Sequence, residues 1–360
     1  MTKQELFNIQ IADTSSEHYL KAKRIWDSIS KPIDGLGDFE DAICQIAAVK
    51  RDLLPSIDKR VLIVFCADNG IVSEGVSQSS QDITTKVAEA LGNNTSSACC
   101  LAKCVSAKVC AVDVGINCDD DIKGILPKKI VKGTKNFLTE PAMTHGEVLD
   151  AIELGIKLVE ELAKEEVDII ATGEMGIGNT TTATAVLAAL TGMDSEALVG
   201  RGAGLDDQGF ENKKRVIKSG IAKYKEQINK ACDEKEKAFE ILSCLGGLDI
   251  AAMCGVFIGG ALYQIPIVID GMISAVSALL SQIICPGTRN YMIASHSGRE
   301  KGISCVLEIL GKKPYINGNM ALGEGTGALM VLPLIDSALF FYKNGLRFEN
   351  AGIENYERYN

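Results

Sequence analysis

The chain has 360 residues, 46% of them hydrophobic but only 5% aromatic, with 35 glycines and a formal charge of −10. That length can bury a substantial core as one large domain or two ordinary ones, and the glycine-rich, aromatic-poor balance suits a layered α/β protein. The acidic balance argues against a nucleic-acid groove or an anionic membrane as partner, so an anionic substrate would need local basic groups or backbone N–H cradles.

A polar helical pattern at about Ser15–Ile29 leads into a turn-rich connector, Lys31–Gly37, and then the amphipathic run FEDAICQIAAVKRDL. RVLIVFCADNG is continuously apolar up to Asp68-Asn69-Gly70, the form of a fully buried parallel strand opening into a loop. ITTKVAEALGNNTSSACCLAKCV is helical in period, and KVCAVDVGI is a second buried strand. Helix GEVLDAIELGIKLVEELAKEE, strand VDIIATG and helix TTATAVLAALTG follow, and then the charged helix NKKRVIKSGIAKYKEQINKA. The apolar stretch Ile250–Cys285 is broken by Gln264, Pro266 and Asp270-Gly271, too often for a membrane span. It divides into a helix, the buried strand IPIVID and a second helix. A last helical stretch, Leu332–Tyr342, is expected to pack with the N-terminal helix as a smaller lobe.

Alternating strands and helices imply βαβ units, a mostly parallel sheet, and ligands bound outside the carboxyl ends of its strands. The twelve cysteines are scattered without the paired spacing of a zinc site, and the N-terminal MTKQELFNIQIADTSSEHY has no apolar signal core. The expectation is therefore a cytoplasmic protein with reduced, mostly buried thiols and no metal.

Several polar constellations fall just past strands or helices. Gly173–Thr181, GEMGIGNTT, lies between a strand and a helix, where inward-facing N–H groups and threonine hydroxyls favour a phosphate. It has neither the P-loop nor the dinucleotide spacing, and the plain alternative is a tight turn with a threonine cap. Gly200–Asp207, followed by Lys213, Lys214 and Arg215, could close over a phosphate or carboxylate, or be a loop beside a solvated helix face. Asp68–Gly70 through Gly75–Thr84 could read a ligand by hydrogen bonds or simply cap a helix. His296 in SHSGRE lacks a partnered nucleophile motif and reads better as structural. Finally NMALGEGTGA sets one carboxylate, Glu324, among three glycines, so the backbone there turns sharply or approaches something closely. The carboxylate itself could be a helix-entry charge, a substrate contact or a proton acceptor.

Taken in order, KPIDGLGDFE, ADNGIVSEGVSQSSQDIT, GTKNFLTEPAMT, GEMGIGNTTTA, GRGAGLDDQGFENK, LGGLDIAAMCG, VIDGMISAVSALL and LGEGTGA resemble the nicotinate-nucleotide–dimethylbenzimidazole phosphoribosyltransferase family. The similarity runs from about Lys31 to Ala338. It implies a Rossmann-like, mostly parallel sheet flanked by helices in residues 31–330, and a small helical domain built from 1–30 with 331–360. It also implies transfer of 5-phosphoribosyl from nicotinate mononucleotide to a cobamide lower-ligand base, without a cofactor, by a homodimer. In that resemblance Glu324 matches the catalytic base and Glu174 a second active-site carboxylate. Gly176, Gly178, Asn179, Thr180, Gly202, Gly204 and Lys213 match positions near phosphate and ribose. Ser77, Ser79, Ser80, Gln81 and Leu322 match the base pocket. The chain departs from the family pattern at Asn69, Ser79-Ser80, Ala321 and Asp249, where His, Tyr-Pro, Arg and Glu are expected. Two of these remove an aromatic wall from the base pocket. A branch of the family that ribosylates phenols as a heterodimer of homologues, or a non-catalytic partner subunit, is the alternative.

Overall fold

The computed structural model describes residues 1–202 and 204–358. Strands β1 (Arg60–Ala67), β2 (Ala107–Gly115), β3 (Leu126–Pro127), β4 (Ile169–Met175), β5 (Ile267–Ile269) and β6 (Met292–Ala294) form one sheet in the order β3-β2-β1-β4-β5-β6. Every pairing in it is parallel, so the sheet is wholly rather than mostly parallel. The order reverses direction between β1 and β4, the switch point at which doubly wound sheets open a crevice. A two-stranded parallel sheet, β7 (His296–Gly298) with β8 (Ile316–Met320), lies beyond β6.

The helices lie in layers on the two faces. Helices α1 (Lys3–Phe7), α2 (Ser16–Asp27) and α3 (Asp38–Lys50) precede β1. Between β1 and β2 the stretch of helical period forms two helices, α4 (Asp82–Gly92) and α5 (Ser97–Cys104), because Gly92-Asn93-Asn94-Thr95 breaks it and Ser96 caps the second. The 20-residue α6 (His145–Lys164) leads into β4. From β4 to β5 run α7 (Asn179–Thr191), α8 (Ser195–Leu198), α9 (Asp207–Ile228), α10 (Glu234–Leu245) and α11 (Leu248–Leu262). After β5 come α12 (Met272–Ile284), α13 (Lys301–Leu310) between β7 and β8, α14 (Thr326–Asn344) and α15 (Phe348–Ala351).

The period of two along β1 divides the core. Val61, Ile63 and Phe65 join the layer built from α6, α10, α11 and α12. Leu62, Val64 and Cys66 join the layer under α2, α3, α5 and α14. The chain ends meet where Ile29 bridges to Arg347 and Trp26 packs 5.1 Å from Tyr342, centroid to centroid. Helix α14 crosses residue 330 without a break, and its layer also holds β1 and β4 residues. The first residues go elsewhere: Leu6 is buried in the opposite layer, and Lys3 pairs with Glu236 at 2.7 Å.

All twelve cysteines are free thiols, but only Cys44, Cys66, Cys99, Cys244, Cys254 and Cys285 are buried, half of them rather than most. Helix α14 is long and apolar enough to cross a membrane by composition, yet 56% of that window is buried within the fold, where it closes the second layer. The segment Ile250–Cys285 forms α11, β5 and α12, all core.

Candidate active site

The carboxyl ends of β4 and β5, the β7–β8 sheet and the 321–325 loop enclose a cleft of about 740 Å³. Its position at the strand ends follows from the parallel topology. At one end, Thr180 on the first turn of α7 accepts a hydrogen bond from Lys213 Nζ at 2.8 Å. Lys213 is only 1% exposed, and that burial lowers its pKa to about 8. Gly202, at φ +56°, lies over this pair, where a Cβ would come within 3.1 Å of Thr180 Oγ1 and 3.3 Å of Lys213 Nζ. The two glycine-rich loops read separately from the sequence thus converge on one buried cation and one hydroxyl. With α7 beginning at Asn179 and carrying no side-chain cap, this end suits a phosphate.

The middle of the cleft is acidic. Asn179 Nδ2 donates to Glu174 Oε2 and, at 2.9 Å, to Asp249 Oδ2, so one amide holds two carboxyl groups. Burial, with the charge of Asp249 next in size, pushes Glu174 up to about 8. Burial likewise raises Asp249, to about 6. Of the two, Glu174 is pushed the further toward its neutral form, by burial and by the Asp249 charge.

Glu324 follows β8 in a turn of three consecutive left-handed residues, Gly323 (φ +90°), Glu324 (φ +57°) and Gly325 (φ +83°). Glycine relieves two of these positions; the glutamate holds the third against its own preference. The surroundings over-determine it. A Cβ on Gly173 of β4 would lie 2.7 Å from the Glu324 carbonyl, and one on Gly325 would lie 2.3 Å from Leu62 Cδ1. Asp270, at the end of β5, accepts from Gly325 N at 3.2 Å and Ala328 N at 2.9 Å, tying the turn and the start of α14 to the sheet. The Glu324 side chain lines the cleft, with Oε2 accepting from Ala98 N at 3.1 Å in the first turn of α5. Among the described residues nothing donates to Oε1.

Of the residues expected near phosphate and ribose, Gly176, Asn179, Thr180, Gly202 and Gly204 line the cleft. Lys213 stands behind Thr180. Gly178 faces away: at φ +94° it starts α7 and packs on Val72. The base-pocket set divides. Ser79 and Leu322 line the cleft with Ile83, Val87, Met175 and Ile177. Ser77, Ser80 and Gln81 are not among the residues lining this cleft. Ser77 Oγ accepts from Ser79 N at 3.1 Å, the exposed Ser80 bonds to Asp82, and Gln81 Nε2 donates to Asn69 O at 3.2 Å. These residues are spent on shaping the turn before α4 and leave one side chain of the loop facing inward.

Three titratable residues of the cleft escaped the sequence reading. Asp270 carried a signal, an acid closing the strand IPIVID at the sheet's carboxyl edge. His296, set aside as structural, lines the cleft beside Asp270 with its Nδ1 2.8 Å from Ser295 Oγ. Glu300 had no signal: it sits between β7, only three residues long, and the start of α13.

Comparison with known proteins agrees with this geometry. A phosphoribosyltransferase family model matches residues 11–353. The nicotinate-nucleotide–dimethylbenzimidazole phosphoribosyltransferase of Acetivibrio thermocellus is 41% identical over 335 residues, covering 93% of each chain. That of Ruminiclostridium cellulolyticum is 38% identical over 357 residues, covering 99% of each. The crystal structure of CobT from Thermus thermophilus superposes with a TM-score of 0.87 at 31% identity, covering 94% of this chain and 100% of that one. With a family model spanning residues 11–353 and relatives alike over nearly the whole length, the chain belongs to the nicotinate-nucleotide–dimethylbenzimidazole phosphoribosyltransferase family.

Proposed function

We propose that this enzyme transfers the 5-phosphoribosyl group of nicotinate mononucleotide to an azole base of the 5,6-dimethylbenzimidazole type, releasing nicotinate and the α-ribotide. The observation that carries the reading is one cleft with two unlike parts. Lys213, Thr180 and Gly202 form a cationic, glycine-cleared end, and Glu324 offers a free carboxylate oxygen on a turn fixed from three sides. The phosphate anchors at the first part, which sets the ribosyl carbon for attack. The pyridinium departs as nicotinate, taking the C–N bonding pair and needing no acid. The azole nitrogen attacks the opposite face of the oxocarbenium-like centre, which inverts it from β to α. The azole N–H proton passes to Glu324. The neutral Glu174 carboxyl, held by Asn179, donates a hydrogen bond into the cleft without adding charge beside Glu324.

The acceptor end is walled by Ser79, Ile83, Val87, Met175 and Leu322, which gives a flat base apolar contact and no aromatic stack. The direct test mixes the protein with nicotinate mononucleotide and a panel of benzimidazoles, purines and phenols and follows nicotinate by chromatography. Release with benzimidazoles supports the reading; release with phenols alone moves the acceptor class, and no release with any acceptor refutes transferase activity for the isolated chain. In the same reading the protein is a cytoplasmic homodimer. Met330, Leu334 and Phe340, 45, 41 and 70% exposed on α14, are apolar side chains open to a second copy. Sedimentation of the purified chain as a monomer at micromolar concentration would count against that arrangement.

A further inference from the structure

We infer that Glu300 accepts hydrogen bonds from the ribose hydroxyls of the bound nucleotide and makes the site selective for ribose over deoxyribose. The inference rests on the nucleotide reading above and adds to it a residue that neither catalysis nor phosphate binding uses.

Four acidic side chains line the cleft: Glu174, Asp270, Glu300 and Glu324. Three of them are engaged. Glu174 takes the Asn179 amide, Asp270 takes Gly325 and Ala328 N–H groups, and Glu324 takes Ala98 N–H. Glu300 alone receives no hydrogen bond from the described residues. It stands at the N-cap position of α13, yet its carboxylate does not cap that helix. Glu300 thus lines the cleft with acceptor capacity that no described residue uses, which leaves it open to a ligand.

Its neighbours say which ligand group fits. A Cβ on Gly200 would lie 3.9 Å from Glu300 Cγ, beside the loop that carries Gly202 over Lys213, and one on Gly298 would lie 3.9 Å from Glu300 N and 3.7 Å from His296 Nε2, on the Asp270 side of the cleft. Glu300 therefore lies between the two ends, and burial, opposed by the Lys213 charge, raises its pKa. A second anionic group there would meet like charge, and an apolar base would strand the carboxylate dry. Neutral hydroxyls satisfy it, and a ribose carries two of them between its phosphate and its anomeric carbon. Carboxylates accept from ribose hydroxyls in dinucleotide sites by the same chemistry.

The experiment crosses a variant with a substrate. Nicotinate mononucleotide and its 2′-deoxy and 3′-deoxy analogues are each assayed for kcat/KM with wild type, Glu300→Gln and Glu300→Ala, and their affinities are measured by calorimetry. A hydrogen bond to a charged acceptor contributes about tenfold to a hundredfold. Wild type is expected to lose that factor on at least one deoxy analogue. Glu300→Ala loses it on the natural nucleotide and loses nothing further on that analogue. If Glu300 only balances the Lys213 charge, the variant and the analogue penalties multiply, and the inference falls. Glu300→Gln keeps the shape and supplies the same cross should the alanine variant fail to fold. Nucleotide that binds with the predicted ribose discrimination but releases no nicotinate would sink the transfer reading and leave this contact standing. Absence of nucleotide binding by wild type overturns both.

Discussion

Replacing Glu174 by glutamine should make the protein more stable at alkaline pH and leave it nearly unchanged at acid pH. The folded state holds a proton on Glu174 up to about pH 8, against a usual value of 4.5. A carboxyl raised in this way binds more protons folded than unfolded. Its contribution is fully present below pH 4.5 and is lost progressively as pH rises to about 8. At about 1.4 kcal/mol per pH unit the whole span gives a ceiling of about 5 kcal/mol. One edge of the carboxyl opens on the cleft, so water and relaxation lower the expected difference to about 2–3 kcal/mol. Glutamine is neutral throughout and still accepts from Asn179. Urea unfolding of both proteins at pH 5, 7 and 9 tests this directly, since titrations shared by the two cancel in the difference. Curves for wild type and variant that stay parallel across that range would refute the assignment of a protonated Glu174.

Glu324→Gln should lower kcat by about 10²–10⁴ with KM for both substrates within a few-fold, because the side chain keeps its shape and loses its basicity; steady-state nicotinate release checks it, and normal turnover removes Glu324 as the base. Lys213→Met should raise KM for the nucleotide more than it lowers kcat, by about tenfold or more, through loss of the charge behind Thr180; an unchanged KM would place the phosphate elsewhere. Gly325→Ala should cost about 2–4 kcal/mol in denaturant unfolding and abolish most activity, since its Cβ would sit 2.3 Å from Leu62 Cδ1 and 2.9 Å from Thr172 O at a positive φ. A fully active, equally stable alanine variant would mean that the turn carrying Glu324 is not held as described.

The helices and buried strands were readable because their causes are local. A continuous apolar run such as RVLIVFCA has few options besides a strand covered on both faces, and the i, i+3, i+4 spacing of α6 makes a helix whatever it packs against. The Thr180 end of the cleft was half legible: glycines and threonines after VDIIATG announce a loop at a strand's carboxyl edge, but not that Gly202 and Lys213 meet it there. Short elements were silent. Strands β6 and β7 have three residues each and take their conformation from neighbours rather than from pattern. That is why His296 was read as structural and Glu300, just past β7, was not singled out.

By itself the sequence determined the layers and the family resemblance, and only through that resemblance did it point to Glu324 and Glu174 as the acids of interest. It could not assign their states. Whether a carboxyl is charged depends on water and neighbours brought together across tens or hundreds of positions, as Asp249 is brought to Glu174 through Asn179. Nor could it tell which of Ser77, Ser79, Ser80 and Gln81 lines the cleft, since they share polarity and differ in where the backbone points them. Tertiary structure decided both, because desolvation and direction are properties of packing, and packing is not written in any one segment.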